Sequence, residues 1–514
     1  MRVKEFVLLD KVERSEGDLE QEVLGLAYDS RKVQSGEVFF AIPGETSDGH
    51  DFVAEAVRRD VAAIVFSRAD CRPAVAASVQ VKDVRRTLGL WAAHFYGRPS
   101  ARLKLVGVTG TNGKTTLTYL IESVLAAAQL APGVIGTISY RFSGHETPSH
   151  HTTPESLDLQ AMLAEMVRAG TKAVAMEVSS HALAQDRVRG LEFDVGVFTN
   201  LSRDHLDYHR DMEEYFLAKS KLFTDYLKAS PKPRRAAVLY GEDSRGPELM
   251  EKARLAGLEV WSYGEGRQWD VHPSEVASDV DGLRGTIQAK DQSIRFESSL
   301  IGAANLQNIL GAVAAGRALG VGADVLTEGI GRLKTVPGRL EKIANDRGLT
   351  ILVDYAHSPD ALEKVLGAVR PLSQGKIFIV FGCGGDRDRG KRPLMGEIAA
   401  RLSDVVVLTS DNPRTEEPAA ILEDIEAGVR WAGLPRLGTA IRASRIPEGA
   451  AGRGYVVEMD RRKAIRLAID MATTGDLILI AGKGHEDYQV LGVNKIHFDD
   501  REVARAELAR EVRG

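Results

Sequence analysis

The chain has 514 residues and a formal net charge of −5, with 44% hydrophobic and 27% charged residues. This is the composition of an ordinary globular protein. A usual domain size of about 150 residues predicts roughly three domains for a chain of this length. The charge excludes a bulk basic surface for nucleic acid, and two cysteines are too few for a disulfide framework. The N-terminal stretch lacks the form of a signal peptide, and no apolar run is long enough for a membrane span. We therefore expect a cytoplasmic protein, and we expect it to be a monomer.

Residues 1–98 are predicted to form a first α/β unit. It contains the strand-like run "AAIVF" and the helical stretch "TLGLWAAHFYG". The following "RPS" is a plausible linker.

Residues 99–336 are predicted to form a second unit with a parallel sheet. "LKLVGVTG" is a buried-strand pattern, and a glycine-rich loop and the helical "TTLTYLIESVLAAAQ" follow it. "KAVAMEV", "DVGVFTN" and "RAAVLY" predict further buried strands. Pro337 and Gly338 break the pattern and predict the end of this unit.

Residues 337–514 are predicted to form a third unit of the same kind. "TILVDYAHSP", "KIFIVFGCGGDRD", "DVVVLTSDNPR" and "DLILIAGKGHE" are each an apolar strand that runs into a polar loop. Ligands of open α/β sheets bind beyond the carboxyl ends of the strands, so these four loops predict a binding site.

The stretch "GVTGTNGKTT", residues 107–116, predicts a phosphate-binding loop. Glycines allow close backbone approach, Lys114 would reach the terminal phosphates, and the hydroxyl of Thr115 would bind Mg²⁺. The spacing differs from the common loop, because Val108 stands where that loop has its first glycine. The alternative is an ordinary strand-to-helix turn.

Two strand-end stretches could serve the same site. In "MEVSSHAL", Glu177 could hold a metal, and Ser179 and His181 could face a substrate, although capping of a helix explains the pattern as well. In "NLSRDHLDYH", His205 and His209 are four residues apart, a spacing that would place both on one helix face.

For the two histidines a zinc pair is one interpretation, but the stretch has neither cysteine nor a His-Glu-x-x-His pattern. A contact of His205 near phosphate-bound Mg²⁺ is favoured, with His209 a solvated helix residue. From its spacing alone, Lys219 in "YFLAKSKLF" is a surface lysine of a helix.

Charged side chains follow three strands of the third unit. Arg387 follows one strand, Arg414 in "DNPR" a second, and Glu486 in "GKGHE" a third. Two guanidinium groups and one carboxylate suit a zwitterionic amino acid, whereas "DNPR" alone is also a simple turn former.

Taken together, these stretches resemble the Mur ligase family over essentially the whole chain. The loop of that family reads Gly-Thr-x-Gly-Lys-Thr, as here, and further matches follow in the family's order: "MEVSSHAL", "NLSRDHLDYH", "AKSKLF", "VPGRLE", "VDYAHSPDAL", "GCGGDRDRGKRPLM", "SDNPR" and "AGKGHE". The resemblance implies a substrate domain over residues 1–98, a central ATPase domain over 99–336, and a C-terminal Rossmann-like amino-acid domain over 337–514.

The resemblance also implies roles for single residues. The ATP residues would be Gly110, Thr111, Asn112, Gly113, Lys114, Thr115, Thr116, Asn305, Asn308, Arg339 and Asp354. The residues for a UDP-linked substrate would be Tyr28, Ser30, Glu45, Thr46, Ser47, His151, Thr152, Thr153, Ser179, Gln185 and Arg187. The residues for diaminopimelate would be Arg387, Asp411, Asn412, Pro413, Arg414, Gly482 and Glu486.

Mg²⁺ would be held by Thr115, Glu177, His205 and Lys219, the last as a carbamate. Lys114, Lys219, His205 and Glu177 would be the catalytic set. The chain departs from the family pattern at two places: relatives often carry Asn at the position of His151, and many have a histidine or aromatic residue where Ala303 and Ala304 stand.

The activity that the resemblance implies is ATP-dependent joining of meso-diaminopimelate to a UDP-N-acetylmuramoyl-dipeptide through an acyl phosphate, in peptidoglycan precursor synthesis. "DNPR" is similar to the signature of the branch that takes meso-diaminopimelate rather than L-lysine. Alternatives are the same ligase with L-lysine, another amide ligase of the fold, or a P-loop switch ATPase that makes no bond.

Overall fold

The computed structural model describes residues 1–44, 47–71, 73–206, 208–438 and 452–510. The chain is α/β, as predicted, and divides into two compact units. The first unit comprises Met1–His272, Gln288–Gln292 and Leu310–Gly329, and the second comprises Pro273–Ile287, Ser293–Ile309 and Ile330–Gly514. The boundaries of the three domains stay a prediction.

The first unit begins with a five-stranded sheet and three helices. The sheet has the order β1-β5-β4-β3-β2, and only β1 is antiparallel to its neighbour. "AAIVF" and "TLGLWAAHFYG" form the strand β4 and most of the helix α3, as predicted. The elements are α1 (Val3–Val7), β1 (Val12–Gly17), β2 (Gly25–Ala27), β3 (Glu37–Phe40), α2 (Val53–Arg58), β4 (Ala63–Phe66), β5 (Ala77–Val81) and α3 (Val84–Phe95).

A larger sheet follows in the same unit, with β13-β12-β11-β6-β10-β7-β8-β9 as its order. The strands from β13 to β7 are parallel, and β8 and β9 are added antiparallel. The elements are β6 (Lys104–Thr109), α4 (Lys114–Ala127), β7 (Pro132–Ile135), β8 (Ser139–Phe142), β9 (His145–Pro148), α5 (Ser156–Arg168), β10 (Ala173–Glu177), α6 (Ser180–Ala184), β11 (Val195–Phe198), α7 (Met212–Lys221), β12 (Ala236–Tyr240), α8 (Gly246–Leu255) and β13 (Glu259–Tyr263).

The next elements cross the division between the units. They are β14 (Val271–Asp279), β15 (Gly282–Ala289), β16 (Gln292–Ser298), α9 (Ala303–Ala318) and α10 (Ala323–Arg332). The strands β14, β15 and β16 are neighbours in that order.

The second unit contains a six-stranded sheet in the order β17-β18-β22-β19-β20-β21. The five strands from β18 to β21 are parallel, and β18, β19, β20 and β22 are almost entirely buried apolar residues, as a sheet covered by helices on both faces requires. The elements are β17 (Glu341–Ile343), β18 (Thr350–Asp354), α11 (Pro359–Val369), β19 (Ile377–Phe381), α12 (Lys391–Leu402), β20 (Val405–Leu408), α13 (Pro418–Trp431), β21 (Gly454–Val457), α14 (Arg461–Met471), β22 (Leu477–Ala481), β23 (Tyr488–Leu491), β24 (Asn494–His497) and α15 (Asp500–Leu508).

The strand order of this sheet brings the predicted loops together. β22, β19 and β20 are adjacent, so the loops that carry Glu486, Arg387 and Arg414 leave neighbouring strands at the same edge.

Within the described ranges, no helix has the length and hydropathy that crossing a bilayer demands.

Candidate active site

The loop between β6 and α4 has a backbone that its glycines make possible. Gly110 has a φ of +149° and Gly113 a φ of +84°, both in the region that favours glycine. A Cβ on Gly110 would lie 1.9 Å from Thr199 Oγ1. Gly113 is the N-cap of α4, so the loop leads directly into a helix N-terminus, which attracts anions.

The end of the neighbouring strand β11 holds this loop in shape. The carbonyl oxygen of Asn200 accepts from the Thr111 amide at 2.9 Å, and its side-chain oxygen accepts from the Asn112 amide at 3.0 Å. Thr199 Oγ1 donates to the Asn112 carbonyl at 2.6 Å. Thr199 and Asn200 were not predicted as loop supports, although both follow the apolar strand pattern in "DVGVFTN".

Two lysine side chains contact the backbone of the loop. Lys114 Nζ donates to the carbonyl oxygens of Gly110 at 3.0 Å and Thr111 at 2.8 Å. Lys219 Nζ donates to the same Gly110 oxygen at 2.8 Å. The two ammonium groups therefore share an acceptor at the start of the phosphate loop.

The interpretation of Lys219 as a surface lysine is wrong. Lys219 is only 1% exposed. The helix that carries it, α7, leads into a π-helical turn at Leu222–Leu227. Its ammonium lies 4.3 Å from the centre of the Tyr215 ring. Burial, with Lys114 nearby as a second cause, lowers the pKa of Lys219 well below its ordinary value.

Glu177 is a buried carboxylate at the end of β10. Parallel pairing places its Cα opposite Val108, just before the loop. Thr137 donates to it twice, from its amide at 2.9 Å and its hydroxyl at 3.0 Å. No basic side chain pairs with Glu177 in the part of the chain that the structure describes.

The donor set near the loop fits Mg²⁺ in its chemistry. Mg²⁺ prefers a few carboxylate and hydroxyl oxygens together with phosphate oxygens and water. Glu177 supplies a carboxylate without a cationic partner, and the Thr115 hydroxyl is buried in the first turn of α4. As an ammonium, Lys219 cannot be a ligand, so its part in a metal site requires the carbamate.

The helix predicted for His205 and His209 is absent. Neither residue is in a helix, and α7 begins only at Met212. His209 is buried rather than solvated, and its ring is 5.1 Å from that of Tyr215, whereas the His205 side chain is 44% exposed. His181 packs between them, with ring centres 5.0 Å from His205 and 5.7 Å from His209.

This histidine cluster gives no support to zinc. Among the described residues, no group of three or more histidine, cysteine, aspartate or glutamate side chains has the arrangement of a metal site. His205 has a φ of +53°, a conformation that non-glycine residues adopt mainly where the surroundings enforce it.

Several residues predicted for the UDP-linked substrate form one network beside Glu177. Thr153 Oγ1 donates to the Glu177 carbonyl at 2.9 Å and accepts from the Ser179 amide at 3.1 Å. Arg187 donates to the Thr153 carbonyl at 3.1 Å and to Gln185 Oε1 at 2.7 Å. Ser179 also caps α6 through the Ala182 amide, so the capping explanation holds for this residue.

Of the rest of this set, Thr152 reaches Glu177 through Thr137, and the others make separate contacts. Thr152 Oγ1 is 3.1 Å from Thr137 Oγ1, and the His151 carbonyl accepts from Tyr140 at 2.6 Å. The Tyr28 hydroxyl donates to Asp158 at 2.6 Å, and Ser30 donates to Glu55 at 3.0 Å. Ser47 accepts from the Gly44 amide through its carbonyl at 3.1 Å. Glu45 and Thr46 lie outside the described residues.

Among the ATP residues predicted in the second unit, Asn305 and Asn308 contact each other, and Arg339 acts electrostatically on Asp354. Asn308 Nδ2 donates to Asn305 Oδ1 at 3.2 Å on α9, where both side chains are buried. Arg339 lies over the Tyr355 ring, 4.7 Å from its centre. Burial raises the pKa of Asp354 against the opposing effect of Arg339, and its carboxylate accepts from the amides of Leu340 and Ala356.

The loops after β19 and β20 bring the two predicted arginines together. A methyl group on Gly384 would lie 2.9 Å from Arg414 Nη1 and 3.8 Å from Arg387 Cγ. Arg414 donates to the Gly385 carbonyl at 2.7 Å and has a φ of +53°. A Cβ on Gly385 would lie 1.8 Å from the carbonyl oxygen of Pro413, so the two loops pack backbone to backbone.

The loop after β22 reaches the same place. Asn412 Nδ2 donates to Glu486 Oε2 at 3.1 Å, and Gly482, with a φ of +112°, donates to the Asp354 carbonyl at 3.1 Å. Lys483 lies 3.2 Å from Asp411 Oδ1. Lys483 was not among the predicted site residues, although a lysine between two glycines after an apolar strand is a visible signal.

Comparisons with known proteins identify the family of the chain. Three family descriptions match: "Mur ligase family, catalytic domain" over residues 22–96, "Mur ligase middle domain" over 108–316, and "Mur ligase, glutamate ligase domain" over 338–484. The chain belongs to the Mur ligase family.

Similar proteins have consistent names. The UDP-N-acetylmuramoyl-L-alanyl-D-glutamate--2,6-diaminopimelate ligase of Geobacter sulfurreducens is 50% identical over 491 residues, which is 95% of each chain. The enzyme of the same name from Solibacter usitatus is 47% identical over 488 residues, 95% of this chain and 94% of that one. A solved structure of a ligase of this name superposes with a TM-score of 0.72 and 31% identity, over 99% of this chain and 98% of that one.

A second solved structure bears on the fold alone. MurF ligase from Thermotoga maritima in complex with ADP superposes with a TM-score of 0.60 at 20% identity, over 96% of this chain and 98% of that one.

Proposed function

We propose that the protein is an ATP-dependent ligase that joins meso-diaminopimelate to UDP-N-acetylmuramoyl-L-alanyl-D-glutamate in peptidoglycan precursor synthesis. The observation that carries the proposal is the convergence of Arg387, Arg414 and Glu486 at the ends of three adjacent strands. Two guanidinium groups and a carboxylate match the charges of an amino acid with an additional carboxylate. The names of the similar proteins support the same substrates.

ATP bound at the phosphate loop would supply the energy for the new amide bond. A carboxylate is a poor acyl donor, so transfer of the γ-phosphoryl group of ATP to the D-glutamate side chain would form an acyl phosphate with a good leaving group. For this transfer two anions, the carboxylate and the triphosphate, must approach each other. Lys114, together with the amides of the loop and of α4, would stabilise the charge that is transferred. Mg²⁺, held by Thr115, Glu177 and His205, would neutralise further charge on the triphosphate.

Lys219 is proposed to act as a carbamate. Its burial favours the neutral amine, which can attack CO₂ to form an N–C bond and lose one proton. The product is an anion beside Lys114, so a lysine pair that repels would become an ion pair.

The amine of diaminopimelate then attacks the acyl phosphate. The tetrahedral intermediate collapses to an amide and releases phosphate. Arg387 and Arg414 would hold carboxylates of the amino acid, and Glu486 an ammonium, which orients the attacking amine.

Selectivity against L-lysine follows from the distal carboxylate. L-Lysine lacks that group, so a guanidinium arranged for it would lose a charged hydrogen bond worth about 1.5–3 kcal/mol, a factor of about ten to over a hundred.

A protein that uses L-lysine equally well is the second candidate, and "DNPR" argues against it. A switch ATPase would have no use for the charged loops of the second unit. A cytoplasmic monomer remains the expected form.

The test is phosphate release from ATP with the UDP-linked dipeptide. We expect turnover with meso-diaminopimelate, at least about tenfold less efficient turnover with L-lysine, and none with D-alanyl-D-alanine. Equal efficiency with L-lysine would refute the assigned amino acid, and turnover without any amino acid would favour the switch ATPase.

A further inference from the structure

Lys483 is a buried lysine for which the proposed reaction assigns no role. Its side chain is fully buried at the end of β22, in the loop that also contains Glu486. Burial of an ammonium is costly unless its N–H groups find acceptors, so the position of its partners indicates what it does.

All three partners belong to the proposed amino-acid site. Lys483 Nζ lies 3.2 Å from Asp411 Oδ1, 3.1 Å from Asn412 Oδ1 and 3.5 Å from Glu486 Oε2. Asp411 and Asn412 follow β20, whereas Lys483 and Glu486 follow β22. Lys483 therefore links two loops that leave different strands.

The contact with Asn412 also determines how that side chain is oriented. Asn412 Oδ1 accepts from Lys483 and from the Val490 amide at 3.0 Å, so its NH₂ group is directed to Glu486 Oε2 at 3.1 Å. Two donors on the oxygen define which end of the amide is the donor. The carboxylate of Glu486 thus accepts a hydrogen bond from Asn412 and lies next to the positive charge of Lys483.

The charges around Glu486 leave room for one more cation. Asp411 and Glu486 are two carboxylates facing one ammonium, and Arg461 nearby is already paired with Asp500 through two hydrogen bonds of 2.7 Å. Burial raises the pKa of Glu486, Asp411 raises it further, and Lys483 opposes both. Glu486 also acts electrostatically on the hydroxyls of Tyr355 and Tyr488.

We propose that Lys483 is a positioning residue for the amino-acid substrate, which it serves by holding Asp411, Asn412 and Glu486 in the arrangement that receives the substrate ammonium. This inference rests on the proposed function, because it assumes that Glu486 binds the amino acid. Lys483 itself is too enclosed by these three side chains to contact the substrate.

The test compares wild-type protein with Lys483→Met in full-length chains. We expect the KM for meso-diaminopimelate to rise about 10- to 100-fold, while the KM values for ATP and the UDP-linked dipeptide change less than about twofold. Lys463→Met, an exposed lysine of α14, is the matched control and should behave as wild type.

A pH series separates positioning from a general loss of structure. Without the Lys483 cation, the rise in the pKa of Glu486 that burial and Asp411 cause loses its strongest opposing charge, so less of its carboxyl group is ionised at a given pH and the ionised fraction grows as pH rises. The KM of the variant for meso-diaminopimelate should therefore fall about threefold or more from pH 7 to 8.5, with a smaller change in wild type. Should Lys483→Met fail to fold, the same series is read from Lys483→Gln.

The outcomes discriminate between the two proposals. An unchanged KM for meso-diaminopimelate, a rise shared equally by all three substrates, or a rise independent of pH would overturn the role of Lys483 alone. A wild-type protein that ligates no amino acid would overturn that role together with the proposed function.

Discussion

Lys114 and Lys219 donate hydrogen bonds to one carbonyl oxygen, that of Gly110, at 3.0 and 2.8 Å. Lys114 belongs to the first turn of the helix after the phosphate loop, and Lys219 to a helix about a hundred residues later. Two like charges at a buried acceptor are unfavourable unless one is neutral or converted to an anion. This relationship makes Lys219 the residue with the most informative set of tests.

Replacement of Lys219 by alanine should reduce kcat by at least about 100-fold, because a charge near the transferred phosphoryl group is lost. Added short-chain carboxylic acids should restore part of the activity by supplying the missing anion. Lys221→Ala, on the same helix, is the control. Full activity of Lys219→Ala would sink the carbamate proposal.

Lys219 also predicts how stability depends on pH. Its pKa is lowered in the folded state, so between that pKa and the ordinary value near 10.5 the unfolded chain binds more protons, and stability rises with pH. The gain is at most about 1.4 kcal/mol per pH unit. Urea unfolding at pH 7 and 9 in CO₂-free buffer should show a larger gain for wild type than for Lys219→Met; equal gains would contradict the shift.

Gly110→Ala should destabilise the loop by more than about 2 kcal/mol and weaken ATP binding. The reason is a φ of +149° together with a Cβ that would lie 1.9 Å from Thr199 Oγ1. Gly322→Ala is the control, since a Cβ there meets no atom within 4 Å. Denaturant unfolding and nucleotide titration measure both effects, and a variant that matches the control would show that the close approach is unimportant.

Glu177→Gln should raise the Mg²⁺ concentration needed for half-maximal phosphate release by at least about tenfold. The amide keeps the shape and can still accept from the Thr137 amide, while its NH₂ group can donate to the Thr137 hydroxyl, but the buried negative charge is removed. Glu165→Gln, an exposed position of α5, controls for loss of a carboxylate elsewhere. An unaltered Mg²⁺ requirement would exclude Glu177 as a ligand.

Arg414→Ala should lower kcat/KM for meso-diaminopimelate by about 10- to 100-fold and leave that for L-lysine nearly unchanged. Arginine and alanine have a similar energetic cost at the φ of +53° that residue 414 adopts, so the substitution should change the backbone energy little. Arg401→Ala, an exposed arginine of α12, is the control. Parallel losses for the two amino acids would indicate that Arg414 does not contact the distal carboxylate.

Much of the fold was predictable because its signals are local. The apolar runs that end in polar loops became β6, β10, β18, β19, β20 and β22, since a strand buried on both faces has to be apolar throughout. The glycine spacing predicted the loop before α4 for the same kind of reason: positive φ values are a property of single residues. The helix expected for His205 and His209 does not form around them, although the His209 amide donates to the His205 carbonyl at 2.9 Å, because one such bond closes a single turn and a helix requires its continuation.

The sequence by itself therefore determined the order of strand, loop and helix, the phosphate loop and the charged loops after three strands. Only the tertiary structure decided that Lys219 and Lys483 are buried, one beside Gly110 and the other among Asp411, Asn412 and Glu486. Spacing along a helix or loop is a local property, whereas burial depends on which distant segment covers the side chain. Burial lowers the pKa of Lys219, and the partners of Lys483 lie in loops after two different strands, so the roles of both residues could be inferred only from the folded chain.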